Sequence, residues 1–265
     1  MVQEPERSER HLLPFFFTLR GDPGGSVGSH VSDIQNSRIV QEKIFLLLTP
    51  TEKDRMGMLP TVPGNGPTGY SVADYAAIRD ICEHLKASST SGELAEKIAR
   101  ELDKYSVFAL QVICGRLHHE VERLPSPYRE AVRPFFIQQL FGAHHQIMLM
   151  FRSGSLWKLR ETFKDQLLIS EYFLMVQKAC FSRETQSEYV PGFNSPYQGL
   201  FYFLIAAFQM FVLEVPGHPV GMPFPGGFRV EDRDGVYFCP VRDKEKEVPY
   251  SICNFCPAKQ TDTLK

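Results

Sequence analysis

From Gly199 to Val215 the chain runs almost without polar side chains, interrupted only at Gln209 and Glu214. A segment apolar on every side has no face to show to water, so it must be surrounded by other helices or by lipid. At about 17 residues it sits at the lower limit for crossing a bilayer. Gln209 and Glu214 break or end it, so the expectation is a buried central helix and no membrane span. The remainder of the chain must then supply a jacket around that helix.

The jacket is visible as helical periodicity from Tyr70 onward. Ser71 to Lys86 carries apolar residues at helical spacing, and Ser91 is a candidate cap for a helix starting near Gly92. Over Ser106 to Leu124, the residues Leu110, Ile113, Cys114, Leu117, Val121 and Leu124 fall on one stripe at spacings of three and four. Ser126-Pro127 gives a cap followed by proline, which starts another helix running to about Phe151, kinked or restarted at Pro134. Ser155 to Phe181 is expected as one long amphipathic helix. Ser195-Pro196 repeats the cap-then-proline signal and opens the buried segment, which stops at Val215-Pro216-Gly217.

The two ends differ from this middle. Residues 1–69 have linker composition, as in Gly21-Asp22-Pro23-Gly24-Gly25 and Pro60 to Pro67, and are expected to be a poorly ordered or loosely docked extension. Ile39 to Leu48 is one short element of either type. Residues 70–215 make a helical bundle. Within 216–265, His218 to Gly227 is too rich in proline and glycine for helix or central strand, and is expected to clamp one end of the bundle. Phe228 to Glu231 and Val236 to Cys239 flank Asp232-Arg233-Asp234-Gly235, the pattern of a β-hairpin that delivers Cys239 at the end of its second strand. The fold class is mainly α, a bundle with a C-terminal hairpin and a cysteine-rich knuckle.

That knuckle concentrates the reactive chemistry. Three of the chain's 6 cysteines, Cys239, Cys253 and Cys256, stand in its last thirty residues, two of them as Cys-x-x-Cys. Two thiolates at that spacing can grip one ion from a tight turn, and a third from a nearby loop makes three ligands. Val2 to Arg10 is charged and the apolar run Leu12 to Phe17 is short and contains Pro14, unlike a secretory leader. The expectation is a cytoplasmic protein with thiols held for a metal and not for disulfides. The fourth ligand is first Cys180, near the end of a long helix before the polar loop Ser182 to Ser187, and alternatively His218. Cys82 and Cys114 are expected in the core.

Other constellations are weaker. His118-His119-Glu120 and His144-His145 are adjacent pairs, and neighbours on a helix point about 100° apart, so neither pair can grip one ion. His144 is expected as a hydrogen-bonded core residue and His145 on the polar edge. His119-x-x-Glu122 reverses the order used by di-iron bundles and has no second copy. Gly221 to Gly227 lacks the Gly-Lys-Ser/Thr ending of a phosphate loop. A net charge of −2 with no basic stripe gives no reason to expect nucleic acid. Other proteins are the expected partners.

The run His218-Pro219-Val220-Gly221, Pro223 to Phe228, Gly235-Val236-Tyr237, Cys239-Pro240-Val241 and Cys253 to Cys256 resembles a family of methanogenic archaea known as domain of unknown function 2115. The likeness is most specific over residues 199–260, extends more loosely back to about residue 92, and leaves residues 1–90 outside. It implies an anaerobic, iron- and sulfur-rich cytoplasm and supplies no mechanism. On that basis the metal is expected to be a 4Fe–4S cluster in preference to zinc by a small margin. The functions expected are an accessory or redox protein of anaerobic metabolism, or a non-catalytic interaction module with a structural zinc.

Overall fold

Val72–Lys86 forms α1, and Ser91–Leu102 forms α2. They belong to a computed structural model that describes residues 72–159, 161–181, 195–224, 227–246, 248 and 250–261. The expected N-terminal extension, the element at Ile39 to Leu48 and the loop Ser182 to Ser187 lie outside those residues. α1 buries Ile78, Cys82 and Leu85 along one side. The cap of α2 is Thr90, not Ser91: its hydroxyl accepts from the Glu93 N–H at 3.2 Å. Ser91 instead donates its N–H to the Glu161 carbonyl at 2.9 Å, which draws it into the helix.

Val107–Glu122 is α3, as the stripe predicts, and it is capped by the Ser106 hydroxyl on the Ala109 N–H. Its stripe faces the core, with Ile113 and Val121 fully buried. Tyr128–Ile137 is α4. Here Ser126 does not cap: Pro127 occupies the cap position and no side-chain cap bond forms. Pro134 stands inside α4 without ending it. The irregularity follows one turn later, where Gln138–Gly142 winds as a π-helical turn before Ala143–Arg152 resumes as α5. A π turn shifts the helical register, and it brings Gln139, Leu140 and Phe141 successively into the interior.

The single long helix expected over Ser155 to Phe181 is corrected. Ser155–Lys158 is a 3-10 turn, Thr162 bridges to Thr90, and α6 begins at Gln166 and ends at Ala179. Asp165 sets that start by accepting from the Leu168 N–H at 2.9 Å. Its carboxylate satisfies an orphan amide of the first turn, so the chain gains nothing by extending the helix backwards.

Pro196–Ala207 forms α7, capped by the Ser195 hydroxyl and continued by a second π turn over Phe208–Val212. Every residue from Gly199 to Ala207 is buried, which confirms the central helix. Among the described residues no helix is long and apolar enough to cross a membrane. Phe201, Phe208, Tyr172 and Phe173 are among the largest side chains with almost no exposed surface. Burying one such ring is worth roughly 1.5–3 kcal/mol, so aromatic packing dominates this core.

Beyond α7 a hairpin is present as expected, but its first strand lies further along than Phe228 to Glu231 and its turn is shorter, because Asp232 and Arg233 pair with Tyr237 and Val236. β1 (Glu231–Arg233) and β2 (Val236–Cys239) pair antiparallel, with Asp234 and Gly235 both at positive φ in the two-residue turn. A third strand, β3 (Lys259–Gln260), pairs in parallel with β2 and places Cys239 opposite Gln260. The Pro/Gly segment before the hairpin is ordered by backbone bonds, Gly221 N–H to the Val230 carbonyl at 2.8 Å and Val230 N–H to Met222 at 3.1 Å.

Candidate metal centre

Cys253 and Cys256 are presented by one 3-10 turn, Ile252–Phe255, whose start is capped by the Ser251 hydroxyl on the Cys253 N–H at 3.2 Å. The turn closes when the Cys256 N–H donates to the Cys253 carbonyl at 3.2 Å. Pro257 and Ala258 then lead into β3, whose Lys259 and Gln260 pair with Phe238 and Cys239. The Thr261 N–H donates to the Cys239 carbonyl at 3.0 Å, and the Gln260 amide donates to the Pro240 carbonyl at 2.9 Å. Backbone pairing thus ties the end of the chain that follows the Cys253–Cys256 turn to the strand that carries Cys239.

All three are buried. The N–H groups of Val241 and Arg242 donate to the Cys239 sulfur, and those of Ala258 and Gly217 donate to the Cys256 sulfur. The Ser251 hydroxyl bonds the Cys253 sulfur. Burial nevertheless wins: it pushes the Cys239 thiol up to about 11 and raises Cys253 and Cys256 as well. The Arg242 guanidinium works in the opposite direction on Cys239 and Cys256. Each charged sulfur would also raise another, Cys256 acting on Cys239, and Cys239 and Cys256 on Cys253, so the three share one electrostatic neighbourhood. Among the described residues, no three or more Cys, His, Asp or Glu side chains already stand as a group able to hold one metal ion.

Two further groups belong to the same neighbourhood. The buried Tyr202 hydroxyl of α7 is raised first by burial and then by Cys253, Cys256 and Glu245. Glu245, half-buried, is raised by burial and opposed by its hydrogen bond to Ser251. Neither was singled out by the sequence, because each is a common residue type whose role depends on a long-range approach.

The candidate fourth ligands lie in different places. His218 is buried, stands edge-on to Phe224 with centroids 6.0 Å apart, and has its pKa lowered to about 4 by loss of solvent. It follows Gly217, whose N–H reaches the Cys256 sulfur, so its backbone is tied to the knuckle. Cys180 caps the C-terminal end of α6. Its electrostatic neighbour is Cys82 of α1, and its sulfur lies 3.8 Å from where a Cβ on Gly199 would sit. Cys82 is fully buried and Cys114 packs against the core, as expected.

The bundle histidines do not gather. The His118 side chain is 62% exposed and approaches Glu122 at 3.8 Å. His145 is exposed, while His144 bonds the Leu102 carbonyl and packs 5.4 Å from the Phe201 ring. His144 is the hydrogen-bonded core histidine that its place on the apolar face predicts. Glu122 is engaged by Arg133 and, at 3.8 Å, by Arg129.

One residue near the knuckle escaped the sequence reading altogether. Gln139, in the first π turn, is buried and donates its side-chain N–H to the Gly217 carbonyl at 2.6 Å. The available signal was a polar residue inside the apolar run Phe135 to Phe141, which requires a buried partner.

Comparison with known proteins places this architecture. The profile of a family described as uncharacterised proteins conserved in archaea (DUF2115) matches residues 90–261, and the chain belongs to that family. The UPF0305 protein of Methanothermobacter thermautotrophicus is 47% identical over 58 residues, which is 22% of this chain and 37% of that protein. The UPF0305 protein MK0666 of Methanopyrus kandleri is 39% identical over 70 residues, 26% of this chain and 49% of that protein. The UPF0305 protein MJ0646 of Methanocaldococcus jannaschii is 24% identical over 173 residues, spanning 65% of this chain and 98% of its own length. No solved structure matches. The resemblance drawn from the C-terminal motifs is therefore confirmed, and its reach back to about residue 92 agrees with the matched range.

Proposed function

We propose that this member of the archaeal family is a metal protein, binding one iron–sulfur cluster or zinc ion through Cys239, Cys253, Cys256 and a fourth donor. The observation that carries the reading is the set of backbone N–H groups on the sulfurs: two on Cys239 and two on Cys256. A neutral thiol is a weak acceptor and needs no such support. A thiolate bound to a cation does, and amide bonds to sulfur are a recurrent feature of cluster and knuckle sites. Burial raises all three thiols, so metal binding has to displace their protons and draw the sulfurs inward. Of the two fourth donors, His218 is favoured, because its chain neighbour Gly217 is already bonded to Cys256. Cys180 shares its surroundings with Cys82.

In an anaerobic archaeal cytoplasm a cluster here would serve an accessory or redox role beside other proteins. A structural zinc in a non-catalytic interaction module is the second reading. It draws support from β3, which closes the knuckle by backbone pairing, and from Phe255, whose ring lies 5.1 Å from the buried Tyr172. The deciding experiment is metal, iron and sulfide analysis of the full chain purified anaerobically, with visible spectra before and after reduction. A brown protein that bleaches on reduction supports the cluster; a colourless one with one zinc per chain supports the module. In either case Cys253→Ser should lower the bound metal. Wild-type protein that carries no metal and takes up neither zinc nor reconstituted iron and sulfide would end the proposal.

A further inference from the structure

We infer that Gln139 is a positioning residue of the knuckle, acting through Gly217 on the Cys256 sulfur; the inference rests on the metal reading above. Three observations converge on Gly217. Its carbonyl accepts from the buried Gln139 side chain at 2.6 Å. Its N–H donates to the Cys256 sulfur. It packs closely against the cysteine turn, since a Cβ on it would lie 2.7 Å from Ile252 Cδ1 and 3.4 Å from Met210 Sδ. One backbone unit is thereby held from the bundle side by Gln139 and faces the metal-binding turn with its amide.

The source of that hold is the π turn. Gln139, Leu140 and Phe141 are buried in succession within this turn, which shifts the register of the helix around them. π turns recur where a helix must aim a particular side chain, and here the aimed group is an amide donor in an otherwise apolar layer. Val215-Pro216-Gly217 is also where the chain leaves the second π turn, so the Gln139 bond fixes the exit of the central helix toward His218. Outer partners of this kind set ligand orientation, and losing one typically costs 10–100-fold in metal affinity.

The test uses the full chain with Co2+ and Zn2+ as probes, titrated against a competing chelator under anaerobic conditions. Gln139→Met keeps the side-chain length and removes the donor; Gln139→Glu keeps the shape and offers an acceptor to an acceptor. Thermal unfolding of metal-free protein runs in parallel. The expected result is a metal affinity lowered about 10–100-fold in both variants, with an altered sulfur-to-cobalt charge-transfer band. A purely structural Gln139 would leave that band unchanged in whatever fraction of protein folds. If either folded variant binds Co2+ with wild-type affinity and spectrum, the positioning role is overturned while the metal centre stands. If wild-type protein binds neither ion and takes up no cluster, it is the metal reading that falls. Should Gln139→Met not fold, Gln139→Glu decides on the same two readouts; failure of both to fold would make Gln139 a folding residue and overturn the inference.

Discussion

Tyr172 joins the knuckle to the bundle, and its removal should be felt in both. The residue is fully buried in α6 and meets four phenylalanines edge-on: Phe173 at 5.3 Å, Phe203 at 6.5 Å, Phe211 at 5.1 Å and Phe255 at 5.1 Å. Its hydroxyl donates to the Phe203 carbonyl at 2.7 Å. Tyr172→Phe retains every ring contact and loses one neutral hydrogen bond to a carbonyl inside α7, which should cost about 1 kcal/mol. Tyr172→Ala adds the loss of a buried ring and leaves a cavity, together about 3–5 kcal/mol. For a chain of this size each kcal/mol moves Tm by roughly 2–4 °C. The contact that reaches the cysteine turn is the one with Phe255, the residue immediately before Cys256. Tyr172→Leu, Phe255→Leu and the double variant form a cycle in urea unfolding, and edge-on aromatic pairs couple by about 0.5–1.5 kcal/mol. The single variants should also expose the buried thiols of Cys253 and Cys256 faster to a thiol reagent, because the turn loses its anchor. Additivity within about 0.3 kcal/mol, with unchanged thiol protection, would refute the claim that the core holds the knuckle in place.

Gly92→Ala should destabilise, although in an ordinary helix interior that exchange gains up to about 1 kcal/mol; a Cβ at this position collides with the Leu159 carbonyl oxygen, a backbone group that cannot rotate away. Chemical denaturation should show a loss of more than about 2 kcal/mol, and a neutral result would mean that the α2 start and the Leu159 segment separate easily. His144, lowered to about 4 by burial first and opposed by its bond to the Leu102 carbonyl, should make stability fall as the medium is acidified. The unfolded chain takes up this proton near pH 6.5 and the folded one only near 4, so the contribution is complete above 6.5 and lost between those values. The full window corresponds to at most about 3 kcal/mol; His144→Leu should flatten the pH profile there, and an unaltered slope would show that the imidazole is solvated. Cys253→Ser and the Gln139 variants complete the set through the metal measurements given above.

Much of this molecule was legible in its sequence because the signals are local. The cap at Ser195, the stripe from Leu110 to Leu124, the apolar-face setting of His144 and a hairpin ending at Cys239 each depend on neighbours a few residues away. The all-apolar segment from Gly199 forced a central helix, since nothing else can shelter it. Where the reading failed, a contact with a distant segment or an unread local cap had intervened. Ser91 lost its cap role to Thr90 because the Glu161 carbonyl claimed its N–H, and the expected long helix was divided because Asp165 and the Thr90–Thr162 bridge fixed the preceding segment as extended chain.

For the candidate centre the division is similar. Sequence alone singled out the three cysteines of the tail as candidates for one site, since Cys-x-x-Cys and the hairpin end are both local features. Tertiary structure alone decided what surrounds them: β3 beside β2, the Gly217 amide on Cys256, Gln139 behind Gly217, and Tyr202 and Glu245 nearby. Hydrogen bonds and desolvation act over a few ångströms in space and are indifferent to separation along the chain. Residues 139 and 217 are 78 positions apart in sequence and 2.6 Å apart in the fold, so no pattern of spacing could have announced their meeting.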